Sequence, residues 1–213
     1  GITQTIVVFG STRIPEPAAA RRELEARRAA CAAHPGDEEC ARRVRIAGRI
    51  LEKSRYYDVA RQFGQLVARA DQGRDGSHLV ILTGGGPGIM EAANRGAFDV
   101  GAKSVGLNIK LPHEQFPNPY ITPDLCMRFH YFALRKLHFL LRARALVVFP
   151  GGYGTLDELF ETLTLVQTRK IKPVPVVLVG EEYWRQVFNP DFLVDEGVSE
   201  PEDRELFWYA ETA

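Results

Sequence analysis

Five short stretches of the chain are apolar at nearly every position: residues 6–9, 79–82, 104–109, 145–149 and 174–179. Each is rich in Val, Ile or Leu and bounded by turn-forming residues, the pattern of buried strands. Continuous rather than alternating apolar character predicts parallel strands covered on both faces. Between them, apolar positions recur at helical spacing over residues 55–70, 89–98, 131–144 and 156–169. This alternation predicts right-handed βαβ crossovers and hence an α/β fold: a Rossmann-like doubly wound parallel sheet with helices on both faces, in one domain spanning residues 1–213. Ligands of such sheets sit beyond the carboxyl ends of the strands, so the loops at Gly10-Ser11, 83–88 and 150–155 become the candidates for a site.

Residues 18–50 break the pattern. They are rich in Ala, Arg and Glu, with sparse apolar positions and an interruption at His34-Pro35-Gly36, which predicts a helical hairpin inserted over about residues 16–52. Its arginines read as a solvated face, with a lid or subunit contact as the sharper alternative. The tail after Asn189, with Pro190, Pro201 and the run Phe207-Trp208-Tyr209, is expected to pack on a partner or across the domain surface.

Lys plus Arg and Asp plus Glu both number 27, so no net basic field draws in a nucleic-acid backbone. No run approaches the roughly 20 apolar residues of a membrane span, and no basic segment followed by an apolar run opens the chain. The three cysteines, Cys31, Cys40 and Cys126, suit a reducing cytoplasm, although Cys31 and Cys40 could clip the hairpin tip.

The loop that follows the strand at 79–82 contains Gly84, Gly85, Gly86 and Gly88 and leads into a helix carrying Glu91. Backbone amides without side chains in the way, at a helix N-terminus, form an anion site. A second loop with Gly151, Gly152 and Gly154 repeats the construction after the strand at 145–149. Two such loops imply one polar ligand held between adjacent strand ends. Thr155 and Glu158 have the separation of a capping box, and Glu91 and Asp157 that of acids favoured near a helix start, so each also has a purely structural reading.

The glycine spacings do not make a dinucleotide fingerprint, since Ile89 and Asp157 occupy the final glycine positions and Lys110 follows the third strand in place of an acid. A P-loop is excluded because no Gly-Lys-Ser/Thr ending follows either loop. A mononucleotide or sugar phosphate remains, for which Arg135 and Lys136, with Arg142 two turns further on, offer cations. Phe132 and Phe139 flank Arg135 at helical spacing and read as core more readily than as a base-stacking wall.

In combination, the segment GGGPGIMEAANRGA from Gly84, the Arg135-Lys136 pair and PGGYGTLDE ending at Glu158 resemble the LONELY GUY (LOG) family of cytokinin riboside 5′-monophosphate phosphoribohydrolases, often described as lysine decarboxylase-like. The resemblance implies a Rossmann-like fold, a homodimer that can assemble further, and hydrolysis of a nucleoside 5′-monophosphate to free base and ribose 5-phosphate. It implies Arg135 and Glu158 as the catalytic pair. Gly10, Ser11, Gly84, Gly85, Gly86, Gly88, Glu91, Lys136, Gly151, Gly152, Gly154 and Thr155 would surround the substrate. Where short plant-type members have Met-His-Glu before the Arg-Lys pair, this chain has Phe132-Ala133-Leu134, and it carries the insertion, so it looks like a longer, bacterial-type branch with an open choice of base.

Cleaving a ribosyl C–N bond develops oxocarbenium character, which a carboxylate beside the anomeric carbon stabilises while orienting water. An arginine can bind phosphate or support the departing base. Neither role requires a metal or cofactor. Lysine decarboxylation would need a Schiff-base lysine in a pyridoxal site, a context absent around Lys110, Lys136 and Lys170. The competing readings are a carrier that holds a phosphate-bearing ligand uncleaved, as molybdenum-cofactor carriers do, and a nucleosidase acting broadly on monophosphates such as AMP. If a second subunit completes the site, Arg42, Arg43 and Arg45 are candidates to come from it.

Overall fold

The computed structural model describes residues 2–72, 79–110 and 116–213. Its strands are β1 (Gln4–Phe9), β2 (Leu79–Thr83), β3 (Ser104–Ile109), β4 (Cys126–Phe129), β5 (Ala143–Val148), β6 (Val176–Val179) and β7 (Trp208–Ala210). They form one sheet in the order β4-β3-β2-β1-β5-β6-β7, parallel at every pairing. Val7 of β1 lies opposite Leu82 on one side and Leu146 on the other. Chain order therefore reverses at β1, and the crevice beyond β1 and β5 is the switch point where doubly wound sheets bind ligands.

Alternate side chains along the strands feed two cores. On one face Val7, Leu82, Leu107 and Val148 pack with Phe139 of α5 (Phe132–Leu140), Leu159 of α6 (Tyr153–Gln167) and Trp184 of α7 (Glu181–Val187). On the other, Val8, Ile81, Val147 and Phe149 pack with Tyr57 and Ala60 of α3 (Arg55–Gln72) and Ile89 and Ala93 of α4 (Ile89–Asp99). Burying one such side chain is worth about 1.5–3 kcal/mol, and demand from both faces explains the continuous apolar runs. Helices α3 and α4 meet backbone to backbone: a Cβ on Gly64 would strike the Ala93 carbonyl, and one on Gly96 the Arg61 carbonyl.

The inserted hairpin is present as α1 (Pro17–Ala32) and α2 (Glu38–Lys53). Gly36, at φ +89°, turns the chain between them. Asp37 caps α2 by accepting from the Glu39 and Cys40 amides at 2.9 and 3.2 Å. Only Ala20, Leu24 and Ala47 of the two helices are buried, in keeping with their polar composition.

Three expectations need correction. The helix expected over 131–144 ends at Leu140, because β5 already begins at Ala143; Arg142 lies in the connecting turn, where its carbonyl accepts from the Thr5 amide at 2.9 Å. Strand β4 was not anticipated, since this short edge strand is half exposed and carries Arg128 instead of a continuous apolar run. The aromatic run, expected on a partner or across the domain surface, forms an additional edge strand, β7, beside β6, with Phe207 buried. Ahead of it, α8 (Pro190–Asp195) is capped by Asn189. No helix among the described residues is long and apolar enough to cross a membrane.

Candidate active site

Three strand-end loops meet above the switch point. The Ser11 amide donates to the Pro150 carbonyl at 3.0 Å, and the Ser11 carbonyl accepts from the Ile89 amide at 3.1 Å, so Ser11 ties the β1 loop to both glycine loops. Gly88 permits the crossing: its φ is +71°, and a Cβ there would strike the Ser11 carbonyl. A buried polar network holds the first glycine loop. Thr83 Oγ1 donates to Asn94 Oδ1 at 2.7 Å and accepts from the Gly85 amide at 3.0 Å, while Asn118 Nδ2 donates to the Gly86 carbonyl at 3.1 Å. The second loop is held from α7, whose Tyr183 hydroxyl donates to the Gly151 carbonyl.

The loops enclose a cleft of about 780 Å³, the size of a small-molecule site. Gly10, Ser11, Gly84, Gly86, Gly151, Gly152, Gly154, Thr155, Arg135 and Glu158 all line it. In the first loop the Gly85 amide is taken by Thr83 and the first amide of α4 by Ser11. Among the described residues no acceptor engages the amides of Gly151, Gly152, Tyr153 and Gly154 at the start of α6. These open amides and the positive end of the α6 dipole make the second loop an anion cradle. A Cβ on Gly152 or Gly154 would meet nothing within 4 Å, so both leave open space beside the backbone of the cleft lining.

Arg135, on α5, is anchored by its Nε donating to the Leu107 carbonyl at 2.7 Å and by stacking over Phe139, 5.0 Å from the ring centroid. Burial lowers its pKa, opposed by the charge of Glu158; a guanidinium stays charged through such a shift. Glu158 lies one turn into α6, 7% exposed, and among the described residues no hydrogen bond or ion pair reaches its carboxyl group. Burial pushes its pKa up to about 7, against the pull of Arg135 and Lys136 and with a push from Asp157 and Glu161. A carboxyl group poised near neutrality in a cleft, beside a fixed cation, is the arrangement of an acid–base or charge-stabilising residue.

Other residues read from the sequence sit elsewhere. Thr155 and Glu158 do not form a capping box: α6 begins at Tyr153 with Gly152 as its cap, which puts Thr155 inside the first turn and leaves Glu158 free of that duty. Glu91 lies outside the cleft lining and accepts from the Tyr57 hydroxyl at 2.9 Å. Lys136 is likewise outside, paired with Asp157 at 2.8 Å and Glu161 at 3.2 Å. Gly85, at φ +76°, and Gly88 shape the loop without lining the cleft.

The cleft also contains side chains that sequence reasoning missed: Thr12, Arg13, Lys53, Asn108 and Tyr183. Arg13 stands two residues beyond Ser11, and Asn108 is the polar residue near the carboxyl end of β3, so the strand-end rule reaches both. Lys53 and Tyr183 arrive from α2 and α7 by tertiary packing and leave no local signal.

A family model described as "Possible lysine decarboxylase" matches residues 90–213. Cytokinin riboside 5′-monophosphate phosphoribohydrolase LOG3 of Arabidopsis thaliana is 30% identical over 167 residues, covering 76% of this chain and 73% of that protein. The probable phosphoribohydrolase LOGL5 of Oryza sativa subsp. japonica is 31% identical over 165 residues, covering 76% of this chain and 63% of its own length. The chain belongs to the LOG family. Its fold also resembles solved structures of lower identity. The molybdenum cofactor binding protein of Rippkaea orientalis matches with TM-score 0.55 at 18% identity, covering 99% of this chain and 90% of that one. A Moco carrier protein from Chlamydomonas reinhardtii matches with TM-score 0.52 at 19% identity, with the same coverage. In the LOG-family chain described here, the segment matched by the family model includes both Arg135 and Glu158 but begins after Gly84, Gly85, Gly86 and Gly88.

Proposed function

We propose that this chain hydrolyses the N-glycosidic bond of a nucleoside 5′-monophosphate, releasing the free base and ribose 5-phosphate. The observation that carries the reading is Glu158: a buried carboxyl group without a protein partner among the described residues, held near neutrality in the same cleft as Arg135 and the glycine loops. The open amides of the second loop suit the phosphate, and Glu158 suits the anomeric carbon. There the carboxylate stabilises the oxocarbenium-like transition state and orients the attacking water. Arg135, rigid and cationic, supports the negative charge that develops on the departing base. The phosphoribohydrolase activity for which the relatives are named agrees with this chemistry. The base in our reading is an N6-substituted adenine or adenine itself.

The decarboxylase description of the family model finds less support at the site. Burial pulls the Lys136 ammonium down, but hydrogen bonds to Asp157 and Glu161 outweigh it and hold the group above its ordinary pKa, the reverse of an activated amine. A homodimer is part of the proposal. Leu134 and Leu137 of α5 and Leu141, the residue that caps it, form an apolar stripe, 53%, 55% and 60% exposed, of the kind that a second copy covers. Because Arg135 comes from the same helix, association would steady the catalytic arginine. The unpaired thiols Cys31, Cys40 and Cys126 accord with a cytoplasmic location.

The test is chromatography of reactions with AMP, N6-isopentenyl-AMP and the corresponding nucleosides. Base and ribose 5-phosphate should appear in equal amounts from the monophosphates. Tight binding of every monophosphate without cleavage would instead make the protein a carrier.

A further inference from the structure

Among the described residues, four charged side chains line the cleft: Arg13, Lys53, Arg135 and Glu158. Arg135 is committed to the Leu107 carbonyl and to the neighbourhood of Glu158. Arg13 and Lys53 are not committed. Among the described residues neither side chain makes an ion pair or a hydrogen bond, although both stand in the wall of one cleft. A cleft with three cations and one carboxyl group carries surplus positive charge that a dianion would neutralise.

Both cations are set on fixed backbone. The Arg13 amide donates to Ser11 Oγ at 3.0 Å, and the next residue, Ile14, is 2% exposed. Lys53 is the last residue of α2, and the next residue, Ser54, is also 2% exposed, with its Oγ donating to the Leu51 carbonyl at 2.6 Å. Each is thus a long flexible side chain on a pinned stem. Arg13 also belongs to the β1 loop, two residues from the point where Ser11 joins the two glycine loops. Ser11 meets the second of those loops at the Pro150 carbonyl, next in the chain to the open Gly151 amide, so the Arg13 stem stands two residues from the edge of the proposed anion cradle. Lys53 approaches from the inserted hairpin, which gives the insertion a place in the site.

We propose that Arg13 and Lys53 are the phosphate-selecting residues of this cleft. They engage the dianionic phosphomonoester of the substrate together with the loop amides, and the inserted hairpin contributes to recognition by delivering Lys53. The inference rests on the reading of the cleft as a nucleotide site and names what distinguishes a monophosphate from its nucleoside there. Forked guanidinium–phosphate contact and a point-charge ammonium are the two common ways proteins hold such a group.

Calorimetric titration of ribose 5-phosphate, AMP and adenosine into the wild type, Arg13→Gln, Lys53→Gln and the double variant tests it. Each single substitution should weaken ribose 5-phosphate and AMP roughly tenfold, as expected for a charge-assisted hydrogen bond, with a larger loss in the double variant. Adenosine affinity and the melting temperature should be unchanged, and Lys53→Arg should restore most of the loss. Wild-type affinity for ribose 5-phosphate in the double variant, an equal loss for adenosine, or no binding of ribose 5-phosphate by the wild type would each overturn the proposal. The outcome is separate from that for hydrolysis: the selective loss can occur in a protein that cleaves nothing, and cleavage with unchanged KM in the double variant would sink this inference alone.

Discussion

The guanidinium of Arg135 lies so close over Gly84 that a Cβ at position 84 would stand 2.5 Å from Nη2. Gly84 is thus the seat of the proposed catalytic arginine as well as part of an anion loop. Its φ is not in the left-handed region, so what opposes alanine is the arginine and the Met90 sulfur 2.9 Å away, side-chain ends that can move, and not backbone strain. Gly84→Ala should fold, displace Arg135, and lower kcat about 10- to 100-fold with a smaller change in KM, since misplacing a catalytic group by an ångström costs rate rather than binding. Steady-state kinetics beside a thermal melt would check this.

Glu158 sets a pH dependence in activity and in stability. The reaction proposed needs the carboxylate, so kcat/KM should rise with pH through about 7 and then level off. Folding raises this pKa from 4.5 to about 7 and so favours the protonated form. That contribution is fully present below pH 4.5 and is lost as pH rises through about 7. Wild type should therefore lose stability relative to Glu158→Gln between acidic and mildly alkaline pH, a difference that denaturant titrations at both ends would reveal.

Gly154 and Gly88 separate ligand space from fold. A methyl on Gly154, a residue of the cleft lining, meets nothing within 4 Å, so Gly154→Ala should melt normally yet bind monophosphates about tenfold or more weakly if an anion sits on the adjoining α6 amides. Gly88→Ala, at φ +71° and against the Ser11 carbonyl, should cost about 2 kcal/mol or more of stability. Equilibrium unfolding and calorimetry on the two variants should give opposite patterns.

Leu137 stands in the middle of the exposed stripe on α5. If a second copy covers the stripe, Leu137→Glu should weaken association about tenfold or more while leaving the protomer folded. Light scattering over a dilution series would show wild type as a dimer at concentrations where the variant is a monomer.

How much of this was legible in the sequence follows from where the information resides. The five central strands announced themselves because residues such as Val7 and Val8 must be apolar toward opposite faces. The edge strands β4 and β7 did not, since Arg128 and Trp208 face solvent and carry no such demand. The glycine loops were legible because anion binding needs bare backbone amides at strand ends, and Arg135 and Glu158 were singled out by their place in the motifs that resemble the LOG family. Whether Thr155 and Glu158 cap a helix depended on whether α6 starts at Tyr153, a boundary that composition does not determine. The partners of Glu91 and Lys136, namely Tyr57 and the pair Asp157 and Glu161, became visible only once the helices had packed.

The central claim is that Glu158 drives cleavage of a nucleotide bound in the cleft, and one paired measurement tests it most directly. Ribose 5-phosphate release from the better of AMP and N6-isopentenyl-AMP is followed for wild type and Glu158→Gln, with the Kd of the same nucleotide measured for both. Wild type should turn the nucleotide over, and Glu158→Gln should bind it with similar affinity and lose at least about a thousandfold in kcat, the scale on which removal of a key transition-state stabiliser is felt. Undiminished turnover in Glu158→Gln, or a wild type that binds the nucleotide and never cleaves it, would contradict the account.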